Sequence, residues 1–149
     1  MTKFIAISEA NSIALHGVAL IAKSKTAINA DDISEIIGAS KHHASKVFQK
    51  LVKNDILSST RGPSGGFYLN RSADKIKLIE IFEAIDGKIT LSNCPLGNSI
   101  CPFGNCLMGG VCHEVSVILF NYLNSHTIQD MINNIPSNKN IFAKREKSL

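Results

Sequence analysis

No cysteine occurs before residue 94 or after residue 112 of this 149-residue chain; all four lie in CPLGNSICPFGNCLMGGVC. Thiols confined to one short stretch do not staple a fold together. In a reducing compartment their clustering argues against a disulfide scaffold and for metal or redox chemistry. Long apolar runs are also missing: none approaches the roughly 20 residues that span a bilayer. The opening MTKFIAISEANSIALHGVALIA places Lys3 ahead of apolar residues, but Ser8, Glu9, Asn11 and His16 interrupt them. That pattern reads as an amphipathic helix rather than an export signal, so a soluble, cytoplasmic protein without a membrane partner is expected. No nucleophile, base and orienting group stand together in a recognisable motif, which argues against an enzyme. Internal repeats and low-complexity segments are absent, apart from the echo of CPLG in CPFG.

What is present is one ordinary core with an appendage, on 44% hydrophobic and 19% charged residues. The net charge of +4 is unevenly placed, because eleven of the 16 basic residues but only six of the 12 acids lie at or before Lys77. A basic half points to a polyanion, although a solvated face would look similar.

Ala10, Ile13, Ala14, Gly17, Val18 and Ile21 recur at helical spacing and predict a first helix over about residues 8–23. Asn29 with Asp31 and Asp32 starts a second short helix that Gly38 stops. Ser40 caps a third, whose buried face is Ala44, Val47, Phe48, Leu51 and Val52. Two helices around a Gly38-Ala39 turn make a helix-turn-helix. The other face of the third helix carries Ser40, Lys41, His42, Ser45, Lys46, Gln49, Lys50 and Lys53, a set suited to phosphates and base edges. ILSSTRGPSGGFYLN then reads as a hairpin with Arg61 and Ser64 at its tip, completing a winged helix. Its glycines serve the turn; a nucleotide loop is excluded because GPSGG lacks the closing Lys-Ser/Thr and precedes a strand.

A further helix is predicted from Ser72 or Asp74 to Ile85, ended by Asp86-Gly87, and a last one from about 107 or 113 to 125. Val115, Ile118, Leu119, Tyr122 and Leu123 give the last helix a wide apolar stripe, extended by Ile128, Met131, Ile132 and Ile135. Outside the winged-helix core such a stripe needs a partner. A second copy is the simplest, and a two-fold dimer suits palindromic double-stranded DNA. The expected fold class is mainly α: a winged helix-turn-helix over 1–75, a cysteine-loop sensor and dimerisation region over 76–135, and a flexible tail over 136–149.

Within the cysteine stretch, glycines at 97, 104, 109 and 110 let backbone approach an inorganic core. Structural zinc sites pair cysteines two to four residues apart, and no such pair occurs here. Loosely spaced thiols also suit a redox dithiol switch. Cluster, zinc and thiol oxidation all stay open on the residues alone.

The helix-turn-helix, the RGPSGGFYL wing, the IFEAIDG helix, the cysteine loop after it and the closing YLNSHTIQDMI resemble the Rrf family of bacterial winged-helix regulators over about residues 1–135. The resemblance implies a homodimeric transcription regulator with a long dimerisation helix. In sensing members it also implies a 2Fe-2S or 4Fe-4S iron-sulfur cluster held by three loop cysteines and one further residue. Cys94, Cys101 and Cys106 match those three, with an uneven internal spacing that departs from the family. For the fourth, Gly109 stands where some members have histidine, and His113 is displaced from it. Other members use a carboxylate from the first helix of the opposite subunit, where Glu9 falls here. Glu9 reads equally as a solvated first-turn acid favourable to the helix dipole. Cys112 is surplus on a helix continuing from Cys106, where it would point about 120° away as a small buried residue; a later helix start would let it complete a four-cysteine site. The signal expected from the resemblance is iron-sulfur status, redox state or nitric oxide. Alternatives are a cluster-free regulator using zinc, thiol oxidation or a partner protein, and a redox or electron-transfer protein.

Overall fold

The computed structural model describes residues 7–91, 94, 101–136 and 140–142. Helix α1 spans Glu9–Lys23, α2 Ala30–Ile37 and α3 Lys41–Lys53; β1 (Leu57–Thr60) and β2 (Gly66–Leu69) follow, then a short 3-10 turn at Ala73–Lys75, α4 (Leu78–Asp86), α5 (Val111–Ser125) and α6 (Ile128–Asn133).

Local chemistry sets the helix starts. Ser8 Oγ accepts the Asn11 N–H (3.1 Å), Asn29 Oδ1 the Asp32 N–H (2.8 Å) and Ser40 Oγ the His43 N–H (3.5 Å), each a side-chain cap on an otherwise orphan donor. Gly38 closes α2 in the left-handed region at φ 73°. The caps and stop anticipated for α2 and α3 are therefore where the helix-turn-helix pattern puts them.

One core joins the helices and the wing. Ile13, Ala14, Val18 and Ile21 of α1 pack with Ile33 of α2, Ala44, Val47, Phe48 and Leu51 of α3, and Ile79, Ile81, Phe82 and Ile85 of α4. The hairpin is antiparallel, with Leu57 opposite Leu69 and Thr60 opposite Gly66. A single bridge from Ile28 extends it: Phe67 N–H donates to Ile28 O (2.9 Å) and Ile28 N–H to Phe67 O (3.2 Å). The Phe67 ring then meets Phe48 with centroids 5.3 Å apart, fixing the wing to α3.

Two boundaries differ from the sequence-based expectation. The helix expected from Ser72 or Asp74 is broken into the 3-10 turn and α4, because Ile76 and Lys77 are extended. Backbone groups at this step pair with the chain where α5 passes into α6: Ile128 N–H donates to Ile76 O and Leu78 N–H to His126 O, both at 2.9 Å. Tertiary hydrogen bonds there replace helical ones. Helix α5 starts at Val111, since Gly109 and Gly110 take φ 59° and 83°, a left-handed pair that a helix does not pass through. Of the segment expected as a flexible tail, Ile141 and Phe142 pack on the core, while 137–139 and 143–149 lie outside the described residues. Among the described residues no helix is long and apolar enough to cross a membrane.

Candidate nucleic-acid interface and sensor loop

Helix α3 presents two faces. Ala44, Val47, Phe48 and Leu51 are buried, while Ser40, Lys41, His42, Lys46, Gln49, Lys50 and Lys53 are exposed and Ser45 is half-buried. Arg61 and Ser64 are exposed at the wing tip. An exposed row of cations and short polar groups on one helix, with exposed Arg61 on the hairpin, has the chemistry that phosphates and base edges accept.

The cations on this surface are not equivalent. Lys41 Nζ lies 3.1 Å from Asp31 Oδ2 in a solvent-exposed pair, the kind that contributes little and exchanges readily for a phosphate. Lys50 Nζ instead donates to Ile85 O at the end of α4, at 3.1 Å. That bond is invisible in the helical pattern, which places Lys50 with its neighbours.

The cysteine loop leaves α4 through Gly87. Cys94, Cys101 and Cys112 are half-buried, Cys106 is exposed, and none of the four forms a disulfide. Cys106 O accepts the Gly109 N–H (3.0 Å), so Cys106 sits in a turn ahead of α5 and Cys112 in the first turn of α5. The two are thus not on one continuous helix, and α5 has the later start. His113 Nδ1 is buried with no hydrogen-bond partner. Soft thiolates with an unpartnered imidazole nitrogen are a donor set whose chemistry fits an iron-sulfur cluster or another thiophilic metal. Among the described residues no three His, Cys, Asp or Glu side chains are already gathered as a metal site.

Glu9, at the start of α1, has a different neighbour. Its Oε1 lies 3.7 Å from Nδ1 of His43, in the first turn of α3. Beside it, Asp86 Oδ2 accepts hydrogen bonds from Ser8 Oγ (2.9 Å) and Asn11 Nδ2 (2.6 Å). The sequence pattern gives Asp86 only as a helix end, Asn11 as a polar break in the first helix and His43 as a surface or core residue, none of them as a partner in a site. One signal was present: a carboxylate on the last residue of a helix opposes the helix dipole and needs donors from elsewhere.

Helix α5 carries Val111, Val115, Ile118 and Tyr122 at spacings of four, three and four along one stripe, all exposed. Ile118 is 68% exposed, whereas Leu123 on the flank of the helix is buried. Phe103, Leu107 and Met108, in the segment before α5, are exposed as well.

A helix-turn-helix whose third helix and hairpin form one basic surface defines the winged-helix class. Within it the chain belongs to the Rrf2 family: the family profile described as "Iron-dependent Transcriptional regulator" matches residues 7–134. The HTH-type transcriptional regulator IscR of Klebsiella pneumoniae (strain 342) is 35% identical over 104 residues, 69% of this chain and 63% of that protein. The IscR of Escherichia coli O1:K1 is equally identical over 69% of this chain and 64% of its own length. The chain thus spans slightly under two thirds of these curated relatives. In three dimensions it is similar to CymR, the global cysteine regulator of B. subtilis, with a TM-score of 0.73 at 18% identity over 89% of this chain and 100% of that one. The T. potens IscR gives 0.70 at 19% identity over 89% and 90%. These likenesses establish the fold.

Proposed function

We propose that this protein is a homodimeric, DNA-binding transcription regulator, not an enzyme, whose cysteine loop senses iron-sulfur or redox status. The observation that carries the DNA-binding reading is the exposed face of Ser40, Lys41, His42, Lys46 and Gln49, with half-buried Ser45 among them and Arg61 and Ser64 exposed on the wing. Helix α3 would enter the major groove with its polar face against base edges, and the wing would reach the adjacent backbone. The exposed stripe of α5 supports a second copy as its cover, since among the described residues α5 packs on its own core through Leu119, Phe120 and Leu123, off that stripe. A two-fold dimer places two α3 helices on successive turns of a palindromic operator.

Cys94, Cys101 and Cys106 would hold a 2Fe-2S or 4Fe-4S cluster, with Glu9 of a second copy, His113 or Cys112 as the remaining donor. When bound, the cluster supplies oxidisable iron and labile sulfide whose state depends on oxidants and iron supply. The chain's own residues would do the rest: the loop glycines would let backbone come close to the group, and His113 would offer a buried nitrogen. A second reading uses the thiols alone: the four cysteines are free, and loosely spaced thiols can pair upon oxidation.

Anaerobic purification followed by an absorption spectrum and iron, sulfide and zinc analysis tests the sensor. Iron and sulfide in equal amounts with visible absorption are expected. A colourless anaerobic preparation without iron or sulfide would overturn the cluster. Retention of specific genomic fragments in a gel shift tests the regulator itself, and retention of none would overturn it.

A further inference from the structure

The last turn of α4 is a junction of three elements. Ser8 Oγ and Asn11 Nδ2 of the α1 start converge on Asp86 Oδ2, and Lys50 Nζ of α3 reaches the Ile85 carbonyl one residue earlier. The chemistry of a helix C-terminus accounts for one of these and demands the others. Its carbonyls carry partial negative charge, so the Lys50 ammonium is favoured there, while the Asp86 carboxylate is not and is held by its two donors. Asn11 is 1% exposed, and its Oδ1 is buried without a partner. An amide buried at that cost is retained for its bond to Asp86 rather than for packing.

The junction lies at the root of the cysteine loop: only residues 87–93 separate Asp86 from Cys94. It also touches both sides of the DNA-reading unit. Lys50 belongs to α3, and Ser8 precedes Glu9, whose carboxylate faces His43 at the start of α3. Any displacement of the loop root acts on α1 and α3 together through polar bonds of defined geometry.

We propose that Lys50 and Asp86 are positioning residues that pin α3 and α1 to the root of the cysteine loop, so that a change in the loop reaches the DNA-reading face through the last turn of α4. This rests on the loop being the sensor. It reassigns Lys50, which the helical pattern alone would give to a DNA phosphate.

The two roles of Lys50 separate in one experiment. The full chain is prepared anaerobically, either stripped with EDTA or reconstituted with ferrous iron and sulfide, and its affinity for a selected genomic fragment is measured in both states over a salt series. Wild type is expected to differ at least tenfold between states. Lys50→Met and Asp86→Asn each bring that ratio at least threefold closer to one, Lys50→Arg restores it, and Lys50→Met leaves the salt slope unchanged. In stripped, DNA-free protein the amides of residues 41–53 exchange severalfold faster in both variants, with thermal melts confirming folding. Equal loss of affinity in both states, with a slope reduced by about 0.9, makes Lys50 a phosphate contact and overturns the proposal. So do unchanged ratios in both variants beside a responsive wild type. A wild-type ratio of one overturns the sensor reading itself, and the transmission with it.

Discussion

Gly17 of α1 lies directly beneath the Phe48 ring of α3: a Cβ built on Gly17 would sit 2.4 Å from Phe48 Cε1 and 2.5 Å from Cζ. Phe48 is fully buried, and its ring also meets Phe67 of the wing, so it has nowhere to retreat. The crossing of α1 and α3, and with it the presentation of the α3 surface, depends on this missing methyl.

Gly17→Ala is therefore expected to destabilise the protein although it improves helix propensity. Overpacking costs about 1–3 kcal/mol, and the roughly 1 kcal/mol gained by replacing a helical glycine offsets only part of it. Urea denaturation should show a lower midpoint at unchanged slope. Adding Phe48→Leu should cost less in the Gly17→Ala background than in wild type; purely additive effects would refute the contact.

Arg61→Ala is expected to weaken DNA binding and to lower the salt slope by about 0.9, the signature of one lost phosphate contact. Lys46→Ala should do the same. Fluorescence anisotropy over a salt series reads both. An unchanged affinity and slope for Arg61→Ala would remove the wing from the interface.

Ile118→Glu places a charge in the middle of the exposed α5 stripe, away from the core. Sedimentation should show a monomer where wild type is a dimer, with thermal stability of the winged-helix core retained and affinity for a palindromic site reduced at least tenfold. A variant that remains dimeric would assign the stripe to another partner.

Acid lability should trace to the start of α4. Partial burial would raise the Glu80 carboxyl, but hydrogen bonds from the Arg71 guanidinium and the Lys77 N–H outweigh it and hold the group below its ordinary value near 4.5. A depressed folded pKa stabilises above the unfolded value, and that contribution disappears as pH falls through the folded one. Asp130, lowered first by the Thr127 N–H and then by the Thr127 hydroxyl, acts in the same direction at α6. Arg71→Met should shrink the loss of stability between neutral pH and the acid side of 4.5. An identical pH profile for variant and wild type would disprove the role of Arg71.

Much of the architecture was legible because it is written in local codes. Asn29, Ser40 and Gly38 are start and stop signals acting within a few residues, and the spacing of Val47, Phe48 and Leu51 defines the inner face of α3 without reference to any other element. The glycine-tipped hairpin follows from turn chemistry in the same way. Not legible were the extended Ile76-Lys77 step and the bridge from Ile28 to Phe67, whose backbone groups bond to partners distant in sequence. For the candidate site, the cysteine loop stood out by composition and the basic face by periodicity. The partners of Lys50, Glu9 and Asp86 did not, since no local rule pairs a lysine on one helix with the last carbonyl of another.

By itself, then, the sequence determined most element types, the basic face and the confinement of all thiols to one loop, because propensity, capping and spacing act at short range. Only the tertiary structure decided which cations are tied and which are available, that Cys106 and Cys112 are parted by a left-handed glycine pair, and that α1, α3 and the loop root meet at Asp86. Those outcomes depend on how helices cross in space, and a crossing is set by the packing of the whole core around contacts such as Gly17 against Phe48.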